Sequence, residues 1–302
     1  DKDPRKLGAY ISWVAIATTC VTSSMFLTAL APNLLAVDLI TKSTGHAISW
    51  VEWSSVMLPL MIPLFLLTPW LTYVVYPPTQ KKSPEAPAWA AEELKTLGAI
   101  TFKEYLMAGL ATVALVLWIF GKEFGVDSTT VAIAIVAVMV LTNVITWDDL
   151  ISNKAAFDVL IWFSSLVAMA SGLQKVGVLA WIGTNTQAML SGMSPTTLII
   201  SLLVLFFLLH YFFASVTAHV TALIPIFMAI AVSLLTPEQI IPFTLILAGS
   251  LGVMGIITPY GTGPSPIWYG AGYISQARWW ALGAIFGALY LGVMILGAFI
   301  FI

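Results

Sequence analysis

Charge is scarce in this chain, and that scarcity excludes a soluble globular protein. Of its 302 residues, 9% are charged and 60% are hydrophobic, and the mean hydropathy is +0.98. An ordinary soluble domain carries about 25% charged residues. Because a membrane-spanning helix takes about 20 apolar residues, the chain has room for about eight spans. We therefore predict an all-α, polytopic membrane protein.

Cysteine is almost absent as well. Cys20 is the single cysteine, so the chain can form no internal disulfide and no cysteine-based metal framework. No Ser-His-Asp arrangement, HExxH motif or phosphate-binding glycine loop occurs, which gives no support to an intramembrane hydrolase or an ATP-driven pump. We predict no catalytic residue, metal or cofactor. The chain opens with Asp1 and no signal-peptide pattern, which indicates a processed or truncated polypeptide.

Apolar runs between polar breaks predict the membrane spans. The uninterrupted runs are 54–76, 104–121, 128–146, 157–174 and 278–302. A polar linker, 77–103, follows the first of these, and within it Ala90 to Leu97 is typical of a surface helix.

Two further apolar runs contain helix-breaking residues. The run 8–41 is interrupted near Ala31-Pro32-Asn33, and the run 239–273 at Thr258 to Pro266. Non-helical backbone at membrane depth is tolerated where protein or a wet cavity surrounds it, and secondary transporters build midplane sites from such broken helices. The alternative is an ordinary loop between two spans.

The run 196–234 has a polar cluster, Ser215 to Thr221, at its centre. This pattern predicts a re-entrant hairpin that enters and leaves the membrane on one side. With the N-terminus in the cytoplasm and this hairpin not crossing, nine of the 12 Lys and Arg residues lie inside, as the positive-inside rule requires. If the hairpin crossed, only Arg278 would change sides, so both topologies stay open.

A short motif indicates an internal repeat. Ile48-Ser49 and Trp53 follow the first break, and Ile274-Ser275 and Trp279 follow the second with the same internal spacing. This predicts an inverted repeat: residues 1–76 end the first half, 77–103 are a cytoplasmic linker, and 104–302 form the second half.

The hairpin and the two breaks together resemble the divalent anion:sodium symporter family, in its citrate/tartrate:succinate antiporter branch of the 2-oxoglutarate/malate translocator type. The chain is similar to that family from its fifth span onward, and the earlier spans and inner hairpin would precede Asp1. The resemblance implies an elevator-type mechanism and a homodimer. Where sodium-using members have Ser-Asn-Thr at the hairpin tip, this chain has Ser215-Val216-Thr217. At the first break it has Ala29 where those members begin a glycine-led turn.

These features define a predicted substrate site. Its residues are Ser215, Val216, Thr217, His219, Thr258, Pro259, Gly261, Thr262, Ala31, Pro32 and Asn33. Hydroxyls, with Thr221 in addition, and backbone N–H groups at the second half-helix of the break would bind carboxylates. An imidazolium at His219 would replace a coupling cation. The alternatives are hydroxyls bonded within their own helix and a neutral, structural His219; His210 is expected to be structural.

We therefore expect a secondary transporter of the bacterial inner membrane, not an enzyme. It would exchange citrate, succinate, tartrate, malate or 2-oxoglutarate for another such anion. Its expected partners are substrate, counter-substrate, membrane lipid and a second copy of itself, with no nucleic acid. A sodium-coupled dicarboxylate symporter is the first alternative, and an integral membrane enzyme or assembly subunit is the second.

Overall fold

A computed structural model of the chain describes residues 7–121, 124–126, 128–154 and 192–302, with scattered residues between 156 and 190. The α-helices of the described residues are α1 Gly8–Met25, α2 Ala31–Thr44, α3 Trp50–Val75, α4 Ala86–Leu97, α5 Phe102–Phe120, α6 Ser128–Leu141, α7 Trp147–Ile151, α8 Pro195–Leu209, α9 Val216–Leu234, α10 Pro237–Val253, α11 Ser265–Gly270 and α12 Gln276–Phe301. Within these described residues, three 3₁₀ turns lie at Leu27–Ala29, His210–Phe212 and Met254–Ile257.

Six helical segments of the described residues are long and apolar enough to cross a membrane. They are Trp50–Val75, Phe102–Phe120, Pro195–Phe212, Val216–Leu234, Pro237–Ile257 and Gln276–Phe301. This confirms the prediction of an all-α, polytopic membrane protein. The predicted span 157–174 lies largely outside the described residues.

The helices form two compact units, Lys81–Trp162 and the combination of Asp1–Gln80 with Phe163–Ile302. In the first unit, α4 is the surface helix expected in the linker, and each of its residues is exposed. At the start of α7, the backbone N–H and hydroxyl of Thr146 hydrogen-bond Asp149, and these bonds hold the pKa of that carboxyl below its ordinary value.

The predicted span 128–146 is too long. Helix α6 ends at Leu141, because Asn143 adopts a left-handed conformation with φ of 55°. The Asn143 N–H bonds to the Val140 carbonyl and the Val144 N–H to the Met139 carbonyl. These two bonds form a Schellman motif, in which asparagine is an accepted alternative to glycine.

The Ile-Ser-x-x-x-Trp motif has a structural role at both of its occurrences. Ser49 and Ser275 are the N-cap residues of α3 and α12, and both helices have 26 residues. The isoleucine before each cap and the tryptophan in each first turn are buried. They occupy the positions of a hydrophobic staple, which fixes the angle at which a chain enters a helix. The duplication of the two halves and their inverted orientation stay predictions.

The first interruption lies earlier than predicted. Helix α1 ends at Met25, and residues 26–30, the first break, contain a 3₁₀ turn flanked by the extended residues Phe26 and Leu30. Ala31-Pro32-Asn33 forms the first turn of α2 instead. Proline is tolerated there because the N–H that it lacks would have no partner within the helix.

The second interruption follows α10. A 3₁₀ turn extends the helix to Ile257, and Thr258 is then extended, with φ of −134° and ψ of 154°. We call residues 258–264 the second break. Helix α11 begins at Ser265 and has only six residues, so the predicted run 239–273 is two helices of very unequal length.

The two broken helices pack against each other, and Ser24 joins them. The Ser24 hydroxyl accepts a hydrogen bond from the Val253 N–H at 3.1 Å, and its carbonyl accepts one from the Trp53 indole at 3.0 Å. A Cβ on Gly252 would lie 2.5 Å from Ser24 Oγ and 2.8 Å from the Cys20 carbonyl oxygen. The close crossing therefore requires glycine at position 252.

Candidate functional site

The hairpin tip, residues 213–217, connects α8 to α9. Ser215 is the N-cap residue of α9, and its hydroxyl accepts a hydrogen bond from the Ala218 N–H at 3.4 Å. Ser215 is exposed and Thr217 is half-buried. Their hydroxyls are thus at the surface of the tip rather than inside the helix bundle.

The structure separates the two threonine hydroxyls of α9. Thr221 Oγ1 donates to the Thr217 carbonyl oxygen at 2.7 Å, so this hydroxyl is bonded within its own helix. The Thr217 hydroxyl makes no hydrogen bond to the described residues. Thr217, and not Thr221, therefore has a hydroxyl available for a ligand.

The N-terminus of α9 contributes to the same surface. The N–H groups of Ala218 and His219 bond to the Ser215 side chain and carbonyl. The N–H groups of Val216 and Thr217 come just before them. They belong to the first turn of α9, where backbone N–H groups have no carbonyl partner within the helix. The positive end of a 19-residue helix dipole lies here, and such an end favours an anion.

Val216 lies between the two tip hydroxyls and is 5% exposed. Its side chain belongs to the hydrophobic core. It adds no oxygen atom with which the tip could coordinate a cation.

The second break contributes a buried hydroxyl close to the hairpin. Thr258 is fully buried, and its Oγ1 has no hydrogen-bond partner in the described residues. Pro259 is half-buried, and Thr262 Oγ1 lies 3.2 Å from Ser265 Oγ. A Cβ on Gly261 would lie 2.8 Å from Thr258 Oγ1. A side chain at position 261 would collide with Thr258, so the tight turn of this segment is possible because residue 261 is glycine.

The expected anion site at the start of the second half-helix is not present. The Ser265 N–H bonds to the Thr262 carbonyl and the Ile267 N–H to the Pro264 carbonyl. Pro266, between them, has no N–H. The first turn of α11 therefore has no free donor, and the available helix N-terminus is that of α9.

His210 and His219 lie side by side where the hairpin meets the second break. The ring centroids of His210 and His219 are 5.1 Å apart, and both residues are fully buried. His210 Nε2 lies 2.9 Å from the Gly261 carbonyl oxygen. His219 packs against the rings of Phe206 and Phe213 at 4.4 and 5.0 Å, and neither of its nitrogens has a partner in the described residues.

This geometry brings some of the predicted residues together. His210, expected to be structural, connects the turn before the hairpin tip to Gly261 in the second break. His219 lies one turn beyond Ser215, as expected, but its ring is beneath the tip rather than on its surface.

The residues after the first break join α1 and α2 to each other. Asn33 Nδ2 donates to the carbonyl oxygens of Ser23 and Phe26 at 2.8 and 3.3 Å. These bonds give a partner to the Ser23 carbonyl in the last turn of α1 and to the carbonyl of its C-cap residue Phe26. Asn33 Oδ1 is buried without a partner in the described residues, Pro32 is buried and Ala31 is exposed. Helix α2 packs along α9, the second arm of the hairpin.

Comparison with known proteins assigns this architecture to a family. The sequence profile described as "Sodium:sulfate symporter transmembrane region" matches residues 1–301. The chain belongs to this family. The prediction made from the hairpin and the breaks is therefore confirmed.

Individual members of the sodium:sulfate symporter family are similar over nearly the whole chain. L-tartrate/succinate antiporters of Escherichia coli (strain K12) and Shigella flexneri are each 48% identical over 298 residues. That of Escherichia coli (strain UTI89 / UPEC) is 46% identical over 297 residues. Each alignment covers 98% of this chain and 60% of the relative, so the chain spans less than two thirds of their length.

Sequence reasoning missed the residues that connect separate elements. Ser24 joins the two broken helices, and Tyr260 donates to the Tyr211 carbonyl oxygen at 3.0 Å. One sequence signal was available for Tyr260, which lies directly between Pro259 and Gly261 in the break. Ser24 has no comparable signal, because serine is common in membrane helices.

Proposed function

We propose that this protein is a secondary transporter that exchanges one di- or tricarboxylate for another across the bacterial inner membrane. Tartrate and succinate are the first candidates, because the antiporters named for them are 48% identical to this chain. Citrate, malate and 2-oxoglutarate belong to the same chemical class. The observation that carries the proposal is the hairpin tip, which combines hydroxyls with the positive end of α9.

The tip suits a carboxylate that must be released again. The hydroxyls of Ser215 and Thr217 and the first N–H groups of α9 can donate hydrogen bonds to carboxylate oxygens. Thr258 lies in the second break, which His210 holds against the hairpin. We propose that the tip and the second break bind the substrate between them, with Pro259, Gly261 and Thr262 shaping the break.

Val216 favours exchange over sodium coupling. Sodium is bound by oxygen ligands, and the buried valine side chain adds none to the tip. Under this proposal, His219 supplies positive charge when the substrate is bound. The competing function is a sodium-coupled symporter. The description of the family as a sodium:sulfate symporter favours this alternative.

An elevator-type movement and a homodimer complete the proposal. Both come from the family resemblance, whereas the re-entrant path of the hairpin is predicted from the polar cluster at the centre of 196–234. The compact packing of α2 and α10 with α9 is compatible with an elevator, because the hairpin and broken helices would move as one body.

The experiment is transport by the full-length protein in proteoliposomes. We expect radiolabelled L-tartrate or succinate to enter only when the vesicles contain a dicarboxylate, with no dependence on sodium. Uptake into vesicles without internal anion, driven by a sodium gradient, would establish the symporter instead. No transport of any di- or tricarboxylate under either condition would refute both functions.

A further inference from the structure

The turn that ends α8 and the second break are held together by two reciprocal hydrogen bonds. His210 Nε2 lies 2.9 Å from the Gly261 carbonyl oxygen, and the Tyr260 hydroxyl donates to the Tyr211 carbonyl oxygen at 3.0 Å. Each segment thus offers one side chain to the main chain of the other. We call these four residues the clasp.

The chemistry of the bonds fixes their direction. A carbonyl oxygen only accepts, so the hydrogen of the His210–Gly261 bond belongs to Nε2. The His210 side chain is fully buried, where a lost hydrogen bond leaves a polar group without a partner. The His210–Gly261 bond is therefore not easily replaced by water, whereas the Tyr260–Tyr211 bond lies at the exposed side of the clasp.

Two further contacts strengthen the clasp. Trp280 of α12 stacks on Tyr211, with ring centroids 6.0 Å apart and planes at 13°, and meets Tyr260 edge-on at 6.2 Å. A Cβ on Gly261 would lie 3.0 Å from His210 Nε2 and 2.8 Å from the Gly255 carbonyl oxygen. The main chain approaches the histidine as closely as it does because Gly261 has no side chain.

We propose that His210 and Tyr260 are positioning residues, which hold the hairpin tip and the second break at a fixed separation. Neither residue needs to touch the substrate. The role in substrate binding rests on the proposed function, whereas the clasp itself does not. A site fixed in advance loses less conformational entropy on binding, so a broken clasp should raise KM and leave the maximal exchange rate unchanged.

Tyr260→Phe is the sharpest variant, because it removes one hydroxyl and keeps the ring against Trp280. The loss of one neutral hydrogen bond should raise KM for succinate about two- to tenfold in full-length protein. Tyr211→Phe is the matched control, since the Tyr211 hydroxyl has no hydrogen bond to the described residues, and its KM should not change. His210→Ala should behave like Tyr260→Phe, and His210→Gln, which keeps an N–H donor, should recover part of the loss.

A second measurement needs no transport. In a Cys20→Ala background, Thr258→Cys places a buried thiol beside the clasp, and its reaction with a maleimide reports local opening. Tyr260→Phe should speed this reaction about two- to tenfold, and Tyr211→Phe should not. Thr244→Cys, which is buried within α10 and outside the second break, should react at an unchanged rate, and this would exclude a general loosening of the fold.

The outcomes separate the two proposals. If the wild-type protein exchanges no carboxylate but Tyr260→Phe speeds labelling of Thr258→Cys, the proposed function fails and the clasp stands. If Tyr260→Phe and Tyr211→Phe give equal labelling rates and equal KM values, the clasp has no positioning role.

Discussion

The substitution Thr217→Val tests the hairpin tip with the least disturbance. Valine and threonine have similar shapes and are both branched at Cβ, so the change removes a hydroxyl and little else. Thr217 makes no side-chain hydrogen bond to the described residues, so its loss should leave the folded protein intact. Ser215→Ala is a less specific test, because Ser215 is also the N-cap residue of α9. Loss of such a cap lowers the free energy of unfolding by about 0.5–2 kcal/mol.

The magnitude follows from the charge of the ligand. A hydrogen bond to a charged group contributes about 1.5–3 kcal/mol, so we expect the affinity for succinate or L-tartrate to fall about ten- to a hundredfold. Isothermal titration calorimetry of the purified full-length protein measures this directly. The same loss should appear in KM for exchange.

Thr221→Val is the matched control. It removes a hydroxyl from the next turn of the same helix, but that hydroxyl is already bonded to the Thr217 carbonyl. We expect an affinity within about twofold of wild type, because such internal bonds contribute little. An unchanged affinity in Thr217→Val would remove this residue from the site, and an equal loss in Thr221→Val would assign the effect to helix geometry.

Three further predictions concern topology, protonation and packing. If the hairpin is re-entrant, Met193→Cys and Glu238→Cys in a Cys20→Ala background should both react with an impermeant maleimide added outside; reaction of only one would make 196–234 cross the membrane. If His219 supplies charge to the bound anion, substrate affinity should weaken as pH rises, and His219→Gln should flatten this pH dependence while His210→Gln should not. An unchanged pH profile in His219→Gln would make the histidine structural. Gly252→Ala should destabilise the protein by about 1–3 kcal/mol in a thermal melt, because the new Cβ meets the main chain of α1. Gly292→Ala, with open space around it, should not, and equal melting temperatures would contradict the tight crossing.

Composition and local pattern were sufficient for the membrane class, for the existence of both helix breaks and for the family. Charge content and long apolar runs are summed along the chain, and a proline or glycine acts on the backbone beside it. The Ile-Ser-x-x-x-Trp motif was visible for the same reason, since a capping residue and its staple lie within one turn of each other. The family resemblance also indicated that Val216 stands where sodium-using members have asparagine.

The tertiary structure decided which of these groups face a ligand. Thr217 and Thr221 are equivalent in sequence, but one hydroxyl is bonded within α9 and the other is not. The first break starts at Phe26 rather than near Ala31-Pro32-Asn33, because a proline is tolerated in the first turn of α2. His210 and Gly261 meet across 51 positions of the chain. Such contacts depend on how whole helices pack, which no local pattern of residues specifies.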